Sequence, residues 1–241
     1  MASYRKGMIT KQRIINSSKK LFYQNGLKKT TCKAICDDAG VNVGLIPYYF
    51  KNKDSIASII YTYFLIDTKE AVKLSFQKNK IDYELKYATA VENWVYMSLL
   101  LGDENYRRFY YELCRNNVLV DENTRIVEFF YKLHNNKYML GFSNNEIKLI
   151  RVVSASSSMG LVEKYVEGYF DMPLEALIEY KIRNMYRIME LPKDDIDDII
   201  KVSYDLFKNV VQIELSDYFR LSLVGSTSVI SSGSNYQDAT L

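Results

Sequence analysis

The chain has 241 residues, 48% of them apolar, and a net charge of only +3. That is enough to bury a sizeable core in one or two domains, and too little charge to imply a polyanion partner by itself. Three cysteines cannot all pair and the N-terminus MASYRKGMITKQR lacks the apolar core of a signal peptide; with no apolar run long enough to span a bilayer, a cytoplasmic protein is expected, not a secreted or membrane one.

Ten glycines and three prolines are few for this length, which favours long helices over a turn-rich β fold. From Thr10 to Asn25, Ile14, Ile15, Leu21 and Phe22 form a helical stripe, and Gly26 is the stop. The next stretch, Thr30 to Lys53 (TTCKAICDDAGVNVGLIPYYFKNK), is the most informative in the chain. Threonine side chains at its start can cap a helix carrying Ile35 and Ala39, and Gly40 closes that helix where a left-handed residue costs least. Asn42 can cap a second, short helix, followed by Tyr48, Tyr49, Phe50 and a basic Lys51-Asn52-Lys53 run. A short helix held out on a helical scaffold and flanked by lysines is the geometry that enters a DNA major groove.

Charge distribution supports this. Residues 1–53 hold 11 of the 32 basic residues and two of the 29 acids, a net of +9, which leaves 21 bases and 27 acids, a net of −6, on the remaining 188 residues. A basic end on a mildly acidic body suits phosphate contact at one end only.

Helical periodicity continues from about Asp54 to Lys78, Tyr83 to Leu101, Glu104 to Arg115 and Thr124 to Leu140. Ser143 or Asn144, with Glu146 available for a capping box, opens a helix running towards Val166. Pro173 suits the first turn of another ending near Met189, and Pro192 precedes a final helix from about Lys193 to Phe219. No alternating run is long enough for a convincing sheet, so the fold class is all-α. Residues 222–241, with six serines and no lysine or arginine, read as a flexible tail.

The pattern from about Arg13 to Ile60 resembles the DNA-binding domain of the TetR family of transcriptional regulators. The resemblance rests on Asn25-Gly26, Thr30-Thr31, Ile35, Ala39-Gly40-Val41-Asn42, Gly44, Tyr49-Phe50 and Lys51-Asn52-Lys53-Asp54, about a fifth of the chain. It implies a three-helix DNA-binding head (1–53), a helical ligand-binding and dimerisation domain (54–221) and the tail (222–241). The implied function is a homodimeric repressor on a palindromic operator in double-stranded DNA, released by a small effector, with no cofactor and no enzymatic activity; control by a protein partner instead is the alternative.

By the same resemblance, Thr30, Thr31 and Lys33 would contact phosphates, Asn42, Val43, Leu45 and Tyr48 would face the groove, and Gly44 would permit close backbone approach. Tyr49 would reach a phosphate, and Lys51 and Lys53 would hold the DNA backbone at the next helix's N-terminus. Where the family usually has tyrosine this chain has Pro47, near the fifth position of the recognition helix; the helix is expected either to break at Ile46 or to bend there.

Cys32 and Cys36 share a helix face without a third ligand at zinc spacing, so buried structural thiols are expected rather than a metal site. The aromatic-rich body would suit a flat or greasy effector, with Trp94, Met97, Tyr110, Phe130 and His134 as candidate pocket residues, although composition alone accounts equally well for the aromatics. Ser154, Ser156, Ser157, Ser158 and Gly160 permit close helix approach. Dimerisation is expected through the Asn144–Val166 and Lys193–Phe219 helices, an arrangement borrowed from the family.

Overall fold

A computed structural model describes residues 2–121, 124–216, 218–225 and 229–230. Its first helix, α1 (Ala2–Lys29), starts eight residues earlier than its apolar stripe suggests and breaks at Gly26, whose φ of 79° and ψ of 168° no helix accommodates. Ile14, Ile15, Phe22 and Leu27 are the large apolar residues it buries. Next, α2 (Cys32–Ala39) is capped by Thr31, whose side chain accepts from the Ala34 N–H. Gly40 ends it at φ 62°, with Gly40 N–H on the Asp37 carbonyl and Val41 N–H on that of Cys36, a Schellman closure.

The short α3 (Leu45–Phe50) follows, then α4 (Lys53–Lys78), capped by Asn52, whose Oδ1 accepts from Ser55 N–H at 2.8 Å. Ile56, Ala57, Ile60, Phe64, Ala71 and Val72 are all fully buried along α4, which runs from the head into the body core.

The body adds α5 (Leu85–Gly102), α6 (Glu104–Arg115), a single turn α7 (Val118–Asp121), α8 (Thr124–Tyr138), α9 (Asn144–Val166), α10 (Leu174–Ile188) and α11 (Lys193–Asn209). α6 has the bounds its sequence predicts. α9 opens with the expected reciprocal capping box: Glu146 N–H donates to Ser143 Oγ and Ser143 N–H to the Glu146 carboxylate. Pro173 stands just before α10, as its cap. α5 packs along α11, where the Trp94 ring stacks on Phe207 and its Nε1–H donates to Ser203 Oγ at 3.1 Å.

The final helix is shorter than predicted. It stops at Asn209, and the chain continues as β1 (Ile213–Ser216), β2 (Arg220–Leu223) and β3 (Val229–Ile230) in an antiparallel sheet of order β1-β2-β3. Ile213 pairs with Leu223 and Ser216 with Arg220; Leu221 pairs with Ile230. The apolar residues beyond Asn209 follow a two-residue repeat, with Ile213 and Leu215 turned inward and Glu214 and Ser216 outward, so they never belonged to the helical stripe. Ser222 and Leu223, assigned to the flexible tail, are paired in β2; residues 226–228 and 231–241 of that tail lie outside the described residues. Among the described residues no helix is long and apolar enough to cross a membrane.

Candidate nucleic-acid interface

The outer face of the head is built by the turn and α3. Asn42 Oδ1 accepts from Gly44 N–H at 2.8 Å, and its carbonyl accepts from Leu45 N–H at 3.0 Å, so one residue folds the turn and starts the helix. Ile46 and Phe50 are buried against the head core, and this orients the six-residue helix. The opposite side presents Val43 and Tyr48, 51% and 76% exposed, beside exposed Asn42, Gly44 and Pro47. Leu45 is half-buried.

Pro47 neither breaks nor bends α3. The helix begins at Leu45, so proline is its third residue, within the first turn, where backbone N–H groups have no intrahelical acceptor. Tyr48 and Tyr49 therefore follow in regular helix, Tyr48 outward and Tyr49 half-buried with its hydroxyl against Gly7 of α1.

The predicted phosphate contacts divide into two groups. Thr31, Lys33 and Lys51 are exposed. Lys33 is paired with Asp37 at 2.6 Å, an open (i, i+4) pair that is cheap to exchange for a phosphate. Lys51 sits at φ 49°, at the tight joint between α3 and α4. Thr30 and Lys53, by contrast, serve the interior of the head. Thr30 is 2% exposed and its hydroxyl is spent on the carbonyls of Gly26 (2.7 Å) and Leu21 (3.2 Å). The half-buried Lys53 ammonium donates to the Leu27 and Thr30 carbonyls at 2.6 and 2.7 Å, capping the end of α1.

Sequence reasoning missed the flank formed by the start of α1. Gly7 lies against Tyr49 and the Lys11 ammonium sits 5.6 Å over the Phe50 ring, so exposed Arg5, Lys6 and Lys11 stand beside α3. Lys28 and Lys29 are exposed just ahead of α2. The net charge of the first 53 residues was the available signal. Cys36 is buried, which raises its thiol pKa, and Cys32 is half-buried; both belong to the packing of α2.

The head is joined to the body at the end of α1. Arg108 of α6 places Nη2 2.8 and 2.9 Å from the Tyr23 and Gln24 carbonyls, and Glu112 accepts from the Lys28 N–H at 2.9 Å.

The five predicted pocket residues are scattered among separate contacts. Trp94 faces α11 as described; Met97 is fully buried on the same helix; Tyr110 stacks on Tyr61 of α4 at 5.5 Å. His134 packs with Phe130 and, from α10, Tyr186. Its Nδ1 lies 3.0 Å from the Phe130 carbonyl, which can only accept, so Nδ1 carries the proton and the buried Nε2 is an acceptor without a hydrogen-bond partner. Burial pushes the imidazole pKa down to about 4.

A polar cluster that the sequence did not reveal lies between α4, α5, α6 and α10. Lys181 donates to Asn93 Oδ1 at 2.7 Å and to the Tyr96 hydroxyl at 2.5 Å, and Tyr61 bonds to both Tyr96 and Tyr110. Burial raises all three phenols, Tyr96 to about 12. A lysine inside the apolar stripe Leu177, Ile178, Ile182, Met185 was the usable signal. Of the clefts at the described surface, one of about 250 Å³ lies between Tyr23, the α5–α6 corner and β1, and another runs along α8 and α9; none of the five predicted residues lines either. Among the described residues no group of three or more His, Cys, Asp or Glu could hold a metal ion.

Residues 14–60 match the family model described as bacterial regulatory proteins, tetR family. No curated protein matches the chain by sequence. Among solved structures, RolR in complex with the ligand resorcinol is similar at 14% identity and a TM-score of 0.57, over 82% of this chain and 95% of that one. RolR without ligand gives 13% identity and a TM-score of 0.53, over 79% and 96%. The head thus carries, over residues 14–60, the sequence pattern of bacterial regulatory proteins of the tetR family, and the helical body behind it shares the RolR fold.

Proposed function

We propose that the protein is a homodimeric repressor that reads a two-fold-symmetric operator and leaves it when a small molecule binds the body. The observation carrying this reading is the outward face of the turn and α3: Asn42, Val43, Gly44 and Tyr48 exposed together, rimmed by Thr31, Lys33 and Lys51. Thr31, Lys33, Lys51 and the half-buried Tyr49 would position the head on phosphates, joined by Lys6 and Lys28. Asn42, Val43, Leu45 and Tyr48 would read base edges. Val43 and Leu45 cannot hydrogen-bond, so readout leans on thymine methyls and an A·T-biased site. Thr30 and Lys53 act by holding the head together.

The dimer would form on α9 and the adjoining face of α8, where Phe129, Leu149, Val152 and Val153 are exposed and Gly160 leaves open space. An apolar face of this kind on a regulator is accounted for by a second copy. α11 is the weaker candidate for this seam: Ile196, Ile199 and Ile200 are buried, and its outer face carries Asp194, Asp195, Asp198, Lys201 and Asp205 around an exposed Tyr204.

The effector would be a small phenolic or aromatic compound. The buried Tyr61–Tyr96–Tyr110–Lys181 cluster and the unpartnered His134 Nε2 offer hydrogen-bonding groups among aromatic walls. RolR, whose structure contains the phenolic ligand resorcinol, is a precedent in the same fold. Control by a protein partner is the second reading, favoured by the filled packing around Trp94 and Tyr110. Site of action would be the cytoplasm, where the DNA is.

The test is binding to DNA from just upstream of the protein's own gene, followed across salt concentration. One two-fold-symmetric site, bound tightly and weakened steeply by salt, is expected. Affinity equal to that for random DNA would refute the reading.

A further inference from the structure

The C-terminal hairpin returns from α11 to the place where α1, α4 and α6 meet. Phe219, at its tip, is 1% exposed. Its ring lies 4.8 Å from Phe109 and 4.9 Å from Tyr106 of α6, and 6.4 Å from Phe64 of α4. Phe109 in turn stacks on Phe22 of α1 at 5.8 Å, so one aromatic chain runs from the hairpin through the body to the head helix. The Tyr106 hydroxyl fastens the turn from both sides, donating to the Ser216 carbonyl at 2.7 Å and accepting from Phe219 N–H at 3.3 Å. Tyr218 sets its edge against Tyr23 of α1 at 5.7 Å, and Gln24 reaches its hydroxyl at 3.5 Å. Leu221 of β2 is fully buried in the same core.

The backbone at the tip is strained. Tyr218 and Phe219 both adopt left-handed angles, φ 64° and 63°, which two consecutive non-glycine residues rarely hold without outside support. The support is the burial of Phe219 between α4 and α6. Tyr23 and Gln24, the residues Tyr218 touches, are the same two whose carbonyls Arg108 holds, just ahead of the break at Gly26.

We propose that this hairpin is a positioning strap for the DNA-reading head, with Tyr106 and Phe219 as its fastening residues. It braces the end of α1 against α4 and α6 and so sets the angle at which the head leaves the body. In a dimer, two heads meet successive major grooves only at a set separation. The strap therefore governs affinity for paired half-sites and leaves the phosphate contacts of a single head untouched. This rests on the DNA-reading function proposed above.

The experiment compares the full-length protein with Phe219→Ala and Tyr106→Phe by hydrogen exchange and by DNA binding. In Phe219→Ala, exchange across residues 23–30 should rise by about tenfold or more as that segment loses its brace. Affinity for the upstream site should fall by about tenfold, while affinity for random-sequence DNA changes by less than about twofold, because sequence-independent binding needs only the phosphate contacts. Tyr106→Phe, which keeps the ring and loses both hydrogen bonds, should shift each quantity in the same direction by less; it also decides the matter if Phe219→Ala does not fold. Unchanged exchange across residues 23–30 while residues 213–223 open would overturn the proposal. Equal losses on both DNAs would overturn it too, since they would mean a damaged head rather than a misplaced one. If the parent protein itself does not prefer the upstream site, the DNA-reading assignment fails there, and the exchange comparison still decides the strap.

Discussion

Gly26 breaks α1 directly beneath Glu112 of α6. A Cβ at position 26 would stand 2.9 Å from Glu112 Oε2 and 3.0 Å from Arg108 Nε, in addition to the strain of its φ of 79°. The side chain missing here lets the body grip the last carbonyls of one helix and the Lys28 N–H beyond it. Gly26→Ala should therefore lower stability by about 2–4 kcal/mol, from a backbone region nearly exclusive to glycine plus the displaced acid and guanidinium. Urea unfolding measures this, and a loss below about 1 kcal/mol would contradict the joint as described.

Lys51 and Lys53 should separate cleanly. Lys53→Met leaves the Leu27 and Thr30 carbonyls without their donor and should cost about 1–3 kcal/mol of stability, with the salt dependence of DNA binding unchanged. Lys51→Met should reduce the salt slope by about one. Reversed results would mean that the inward turn of Lys53 does not persist in solution.

Tyr48 is 76% exposed, so Tyr48→Ala should weaken binding to the upstream site by about 10- to 100-fold with no change in unfolding midpoint. Pro47→Ala should be nearly neutral, within about 1 kcal/mol, because the third helical residue has no hydrogen bond to restore. Fluorescence anisotropy with labelled DNA and thermal melts of the two variants provide the check.

His134 and Glu92 should give opposing pH dependences. His134 titrates at about 4 in the native state because burial disfavours its charged form, so its contribution is intact above the ordinary value of 6.5 and is lost as pH falls towards 4. Burial raises Glu92, which accepts a hydrogen bond from the Tyr83 hydroxyl, to about 7. Its contribution is intact below the ordinary 4.5 and is lost as pH rises towards 7. Between those limits the two slopes offset. Glu92→Gln should uncover a gain of roughly 3 kcal/mol on going from pH 4 to 6.5, and His134→Gln a loss of similar size from pH 4.5 to 7. Denaturant midpoints across pH decide it; parallel profiles for all three proteins would refute the assignment.

Leu149→Glu together with Val153→Glu should convert a dimer into a monomer in sedimentation experiments, since both side chains are more than half exposed on the α9 face and neither supports the protomer core. A dimer that survives both changes would place the seam elsewhere.

Features that the sequence determined by itself are those whose physics closes within a few residues. Gly26 and Gly40 stop helices because their positive-φ backbone angles favour glycine, and the Ser143–Glu146 box and the Glu104–Arg115 helix are likewise local. The head's family pattern and its charge excess belong with these, since they too are properties of a short segment. The tertiary structure alone decided where each side chain was spent. Thr30 and Lys53 look like phosphate ligands until α1 brings its carbonyls to them. Trp94, Tyr110 and His134 are only aromatic-rich positions in the sequence, and the packing of the helices gives each its own neighbour, Phe207, Tyr61 and Tyr186. The hairpin after Asn209 was the least legible element. Four-residue strands carry too little alternation to register, and what holds them is Tyr106 and the Phe64–Phe109 pocket, more than a hundred residues away in sequence.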